Sequence, residues 1–186
     1  MEALFFSTFA VAVAEVGDKT QLLSLCLAAR FKRRWSIIVG IFLATLLNHA
    51  LSAALGSWLV EVVPEGLAKW IIAGSFLAIA LWVLIPDKLD DGQPGILDRY
   101  GPMLATTVLF FIAEIGDKTQ VATIVLAAEY QNVMLVTMGT TLGMMMANVP
   151  VVIFGEKIMA QLPLDYARYG ACILFLLLGA LTLVLN

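Results

Sequence analysis

One seven-residue string occurs twice in this chain, each time inside an apolar run. Glu15-Val16-Gly17-Asp18-Lys19-Thr20-Gln21 and Glu114-Ile115-Gly116-Asp117-Lys118-Thr119-Gln120 lie 99 residues apart. Each places two carboxylates and an ammonium group where the flanking sequence reads as hydrocarbon. Ionisable groups inside a bilayer cost several kcal/mol each, so they are rarely incidental. A cluster in matching positions of two halves points to one central site made by two repeats.

The setting is a membrane. Of 186 residues, 61% are hydrophobic and 13% charged, against about 25% charged in an ordinary soluble domain. Mean hydropathy is +0.95. The longest polar stretch covers 86–101, which leaves no room for a soluble catalytic or nucleic-acid-binding domain. The start lacks a basic region and a clear cleavage site, so it is expected to be the first span rather than a signal peptide. A spanning helix needs about 20 mostly apolar residues. Six stretches qualify: 3–29, 35–62, 67–85, 102–128, 133–154 and 166–185.

Basic residues set the orientation. Of 11 Lys and Arg, Lys19 and Lys118 belong to the motifs. Arg30, Lys32, Arg33, Arg34, Lys88, Arg99, Lys157 and Arg168 fall on one side, and Lys69 alone on the other. The positive-inside rule makes the first side cytoplasmic and puts both termini outside. Three spans per half force the second half to enter from the opposite face. The expected fold is therefore an all-α membrane protein of six transmembrane helices in two inverted three-helix repeats, 1–85 and 102–186, joined by a cytoplasmic linker, 86–101. Leu27-Ala28-Ala29 matches Leu126-Ala127-Ala128, and Gly40, Leu43 and Gly56 match Gly139, Leu142 and Gly155, all at the same offset.

In a continuous helix Glu15 and Asp18 share a face, and Lys19 lies within reach of Glu15; the same holds for Glu114, Asp117 and Lys118. Gly17 and Gly116 permit a kink, unwinding or close approach of a neighbour. If the motifs meet near the midplane, four carboxylates less two lysines leave about −2, which a divalent cation neutralises. Carboxylate, amide and hydroxyl oxygens are hard donors suited to Mn2+, Ca2+ and Mg2+. Neither motif holds His or Cys, which argues against zinc, copper or an iron–sulfur cluster. Crowded carboxylates in a low dielectric cannot all stay ionised, so protons and metal compete for the site, the basis of antiport. The plainer alternative makes Glu15–Lys19 and Glu114–Lys118 internal ion pairs.

Gln21 and Gln120 are further candidate ligands because they belong to the repeated string. Thr20, Thr119, Asn48 and Asn148 are supporting candidates, and Lys19 and Lys118 are counter-ions. His49 aligns with Asn148 and is expected in a helix–helix hydrogen bond rather than a proton relay. Met144, Cys26 and Cys172 read as apolar filling. Asp87, Asp90, Asp91 and Asp98 read as a solvated acidic linker. Trp35, Trp58, Trp70, Tyr100 and Tyr166 fall near span ends, as interface anchors do.

The string E-x-G-D-[KR]-[ST], twice in a small six-span protein, resembles the cation exchanger family of the MneA-type bacterial manganese exporters and their Golgi manganese/calcium–proton relatives. The likeness covers nearly the whole chain, and both motifs match at every defined position. It implies a secondary-active transporter, not an enzyme, that exports Mn2+, and in some relatives Ca2+, in exchange for protons. Carried over, Glu15, Asp18, Glu114 and Asp117 are the cation ligands. The location implied is the cell membrane, the inner membrane in a Gram-negative cell, multi-pass. Partners are then the metal ion, protons and lipid, with no nucleic acid and no cofactor beyond the transported ion. Alternating access would use the two motif helices as gates. Competing readings are an exporter of a small organic cation or amino acid, and a passive divalent channel. An intramembrane aspartyl protease is disfavoured, because Glu15 and Glu114 stand where its Gly-x-Gly-Asp string needs glycine.

Overall fold

The computed structural model describes residues 1–85, 100–155, 157 and 164–185. Most of the linker, 86–99, with Asp87, Lys88, Asp90, Asp91, Asp98 and Arg99, lies outside the described residues. Eight helices are described, in order: α1 (Glu2–Ala14), α2 (Lys19–Phe31), α3 (Arg34–Val62), α4 (Glu65–Val83), α5 (Pro102–Glu114), α6 (Lys118–Tyr130), α7 (Val133–Phe154) and α8 (Leu164–Leu185). There is no strand among the described residues. Among the described residues, four helices are long and apolar enough to cross a bilayer: Arg34–Val62, Gly66–Val83, Val133–Phe154 and Leu164–Val184.

The stretches 3–29 and 102–128, expected as single spans, are each broken at the motif. Gly17 has φ +81 and Gly116 φ +76, a left-handed conformation that glycine adopts without a Cβ penalty. The next residues are extended, Asp18 at φ −81, ψ 167 and Asp117 at φ −84, ψ 163. One helix stops and another starts, so Glu15 and Asp18 do not share a helix face, and neither do Glu114 and Asp117. Each half-helix has 13 residues, about 20 Å of rise, too short to cross alone. Both second halves also end alike, on left-handed Lys32 (φ 51) and Gln131 (φ 48), again 99 residues apart.

Small residues bring the helices together. A methyl on Gly40 of α3 would lie 2.7 Å from the Met103 carbonyl oxygen and 2.7 Å from Thr106 Cβ of α5. A methyl on Gly139 of α7 would lie 2.7 Å from the Leu4 carbonyl oxygen and 2.9 Å from Ser7 Cβ of α1. The second contact repeats the first at the 99-residue offset. Such approaches gain van der Waals contact where lipid supplies no hydrophobic drive. In turn α4 packs on α8, with Phe76 stacked on Phe175 at 6.3 Å. Pro150 is accommodated inside α7. Exposed apolar side chains such as Phe5, Leu47, Leu51, Leu81 and Leu177 form the outward faces, as a lipid solvent requires. Trp35, Trp58, Trp70, Tyr100 and Tyr166 are all exposed, near helix ends.

Candidate functional site

The two helix breaks meet inside the bundle. One carboxylate oxygen each from Glu15, Glu114 and Asp117 lies within 4.8 Å of the others, and all three side chains are buried. Glu15 and Glu114 end α1 and α5; Asp117 and Asp18 begin α6 and α2. Neither aspartate caps its own helix with its side chain, although Asp is a favoured cap. One oxygen of each instead faces the lysine of the other motif.

Lys19 Nζ is 3.2 Å from Asp117 Oδ1, and Lys118 Nζ is 3.5 Å from Asp18 Oδ1. The pairing expected within each motif is thus replaced by pairing between motifs. The cause is local: the break removes the four-residue helical spacing that would set Lys19 against Glu15 or Lys118 against Glu114. Lys118 also donates to the Ile85 carbonyl at the end of α4, at 3.0 Å.

The hydroxyls grip the glutamates. Thr20 donates to Glu15 Oε2. Thr119 donates to Glu114 Oε2 at 3.0 Å and to Asp117 Oδ2 at 3.1 Å. Among the described residues, Glu15 Oε1 and Glu114 Oε1 have no hydrogen-bond partner. Two buried carboxylate oxygens without a donor are costly unless a cation or a proton joins them.

The glutamines hold the breaks open. Gln21 Oε1 accepts from Gly17 N at 2.8 Å, and Gln120 Oε1 from Gly116 N at 2.7 Å. Gln21 Nε2 donates to the Ala147 carbonyl at 2.9 Å, and Gln120 Nε2 to Asn48 Oδ1 at 3.1 Å. Ala147 is the counterpart of Asn48 at the 99-residue offset. Asn148 is engaged away from the carboxylates: Ser24 donates to its Oδ1 at 2.7 Å, and its Nδ2 donates to Met144 O at 3.2 Å and Sδ at 3.0 Å. His49 is fully buried, and among the described residues neither ring nitrogen has a partner, so the expected interhelical bond is not made. Sequence reading missed the crossed lysines and the Ser24–Asn148 bond. Ser24 had a signal, its match to Thr123 in the repeat; the crossing had none, because it depends on where the helices break.

The family described as "Divalent cation/proton antiporter GDT1" matches residues 3–91 and 102–186. The chain belongs to the GDT1 family. Its antiporters are transporters, and this chain is accordingly a multi-pass membrane member whose family carries divalent cations and protons. A Vibrio cholerae relative named "Putative manganese exporter" is 50% identical over 98% of this chain and 90% of the relative. The Synechocystis GDT1-like protein sll0615 is 28% identical over 81% of each chain. The Arabidopsis thaliana GDT1-like protein 5 is 24% identical over 92% of this chain and 91% of the relative. No solved structure matches the chain.

Proposed function

We propose that the protein exports Mn2+ from the cytoplasm in exchange for protons, with Ca2+ as a second cargo, through one site built by both motifs. Glu15, Glu114 and Asp117 are its ligands. Asp18, Gln21 and Gln120 complete or orient the shell, and Thr20, Thr119, Lys19, Lys118 and Asn48 support it. Asn148 acts at a distance, by fixing α2 against α7. The chain spans the inner membrane six times as two inverted repeats, 1–85 and 102–186, joined by a cytoplasmic linker, with both termini outside. In this arrangement α1 with α2, and α5 with α6, each make one broken span.

The observation that carries the reading is the convergence of three buried carboxylate oxygens within 4.8 Å. Oxygens around a divalent ion with bonds of about 2.4 Å stand about 3.4–4.8 Å apart, which is within that limit. Charge balance does the rest: with the lysines committed to Asp117 and Asp18, the glutamates need either a dication or protons. Loading one species therefore displaces the other, which couples them without a further device. The 50% identical Vibrio cholerae relative, by its name, supports Mn2+ as the cargo.

The test is Mn2+ uptake into proteoliposomes containing a pH dye. Wild type should move Mn2+ and protons in opposite directions, and Glu114→Gln should do neither. Mn2+ flux with no proton movement at any pH gradient would leave a channel, and no flux of any divalent cation would end the reading.

A further inference from the structure

One helix contact is present twice in this molecule in two different states. Gly56 of α3 faces Ile124 of α6, and Gly155 at the end of α7 faces Leu25 of α2. Gly155 and Leu25 are the counterparts of Gly56 and Ile124 at the 99-residue offset. The first pair is shut: a methyl on Gly56 would overlap the Ile124 carbonyl oxygen and lie 3.0 Å from its Cα. The second is apart: among the described residues, the nearest atom to a methyl on Gly155 would be Leu25 Cδ1, at 3.9 Å.

The surroundings divide the same way. Beside the Gly56 contact, α4 packs on α6 and leaves a cavity of about 80 Å3 lined by Ile72, Ser75, Ile124, Val125 and Ala128. Beside Gly155 a cleft of about 480 Å3 opens between α2 and α7, lined by Leu25, Cys26, Ala29, Val152 and Gly155. Leu25, Cys26 and Ala29 match Ile124, Val125 and Ala128. Arg34 and Lys157 border this cleft. The helix that would close it, α8, makes at most a marginal contact with α2. Cys26 is exposed, whereas Val125 is 6% exposed.

We propose that these two contacts are the gates of the cation path: Gly56 on Ile124 shut, and Gly155 apart from Leu25, open toward the face where α2 ends at Arg30–Arg34. This rests on the exchanger reading and adds its path. Each gate residue stands six positions beyond the motif lysine of its helix, about 9 Å along the axis. The carboxylates therefore lie between the gates. An exchanger must never open both, and packed interfaces switch between discrete states rather than deforming continuously. In the opposite state Leu25 closes on Gly155 while Ile124 leaves Gly56. The gates are thus not the motif helices meeting each other. Each is the later half of a motif helix closing on a glycine of the other repeat.

The native cysteine is the reporter. In Cys172→Ser, the labelling rate of Cys26 with a membrane-impermeant methanethiosulfonate is compared with that of the Val125→Cys thiol in Cys26→Ser, Cys172→Ser. Cys26 should react at least tenfold faster. Mn2+ and pH changes should then move the two rates in opposite directions. Gly56→Ala should slow Cys26 and speed the Val125→Cys thiol, each about tenfold. Equal starting rates, or rates that never move oppositely, overturn the proposal. If Gly56→Ala does not fold, the ligand-driven exchange in the glycine-intact proteins decides alone. Opposite movement driven by pH, in a wild type that carries no divalent cation, would keep the gates and remove the exchanger reading.

Discussion

The two copies of the motif share a sequence but not a setting. Lys19 is 24% exposed at its ion pair and Lys118 only 6%. Thr20 donates to one carboxylate, whereas the single hydroxyl of Thr119 lies between two. A methyl on Gly17 would lie 2.8 Å from Leu164 Cδ2, whereas among the described residues one on Gly116 meets nothing within 4 Å. Identical chemistry in unlike surroundings teaches that the motif defines the site without defining its state.

Three experiments sharpen or break that comparison. The ion pairs come first. Removing one partner of a buried pair costs about 3–5 kcal/mol, because the other charge is left stranded. Asp18→Asn should therefore destabilise the protein more than Asp117→Asn, since Lys118 is the more enclosed lysine. Thermal unfolding of purified protein in detergent checks this. Asp18→Asn with Lys118→Met should recover much of the loss. Equal losses at both pairs would mean that their difference in exposure carries no energy.

The threonines come next. A hydrogen bond contributes about 1 kcal/mol, or about fivefold in an equilibrium constant. Thr119→Val removes one donor shared by Glu114 and Asp117, and Thr20→Val removes one donor to Glu15. Mn2+ affinity, measured by calorimetry, should fall about fivefold for either variant. Unequal losses would mean that the difference in setting reaches cation binding, and no loss in either would detach the hydroxyls from the site.

The smallest effect belongs to the border of the open cleft. Arg34 and Lys157 set positive charge beside the cleft, which lowers local cation concentration if the proposed path runs through it. Arg34→Gln should raise the initial Mn2+ uptake rate about twofold at low salt and much less at high salt, where charge is screened. A rate insensitive to both the substitution and ionic strength would detach this cleft from the cation's route.

Much of this was legible in the chain. The apolar runs mark the helices closely: 35–62 became Arg34–Val62, and 133–154 became Val133–Phe154. The repeated string pointed to a meeting of Glu15, Asp18, Glu114 and Asp117, because polar groups in hydrocarbon must find one another; oxygens of Glu15, Glu114 and Asp117 converge, and Asp18 faces Lys118. The glycines signalled that unwinding was possible. They did not reveal that both helices break fully, since φ at Gly17 depends on what the following aspartate can pair with across the bundle. The ion pairs were misassigned for that reason: Lys19 is near Glu15 in sequence but bonds Asp117, 98 positions away. Cys26 read as filling yet lines a cleft, because its exposure depends on how far α8 stands from α2.

The crossed ion pairs have a consequence for biosynthesis. When the first repeat leaves the ribosome, Lys19 has no Asp117 and Asp18 has no Lys118. About 99 residues must follow, on the order of 5–20 s of translation, before either charge meets its partner. Until then the first motif, in the proposed broken span, carries charges whose partners have not yet been made, and bilayer hydrocarbon does not readily hold them. Neither half is thus a finished insertion unit: each supplies the counter-charges that let the other stay in the membrane, and a chain truncated before Asp117 would be a substrate for quality control rather than a half-transporter.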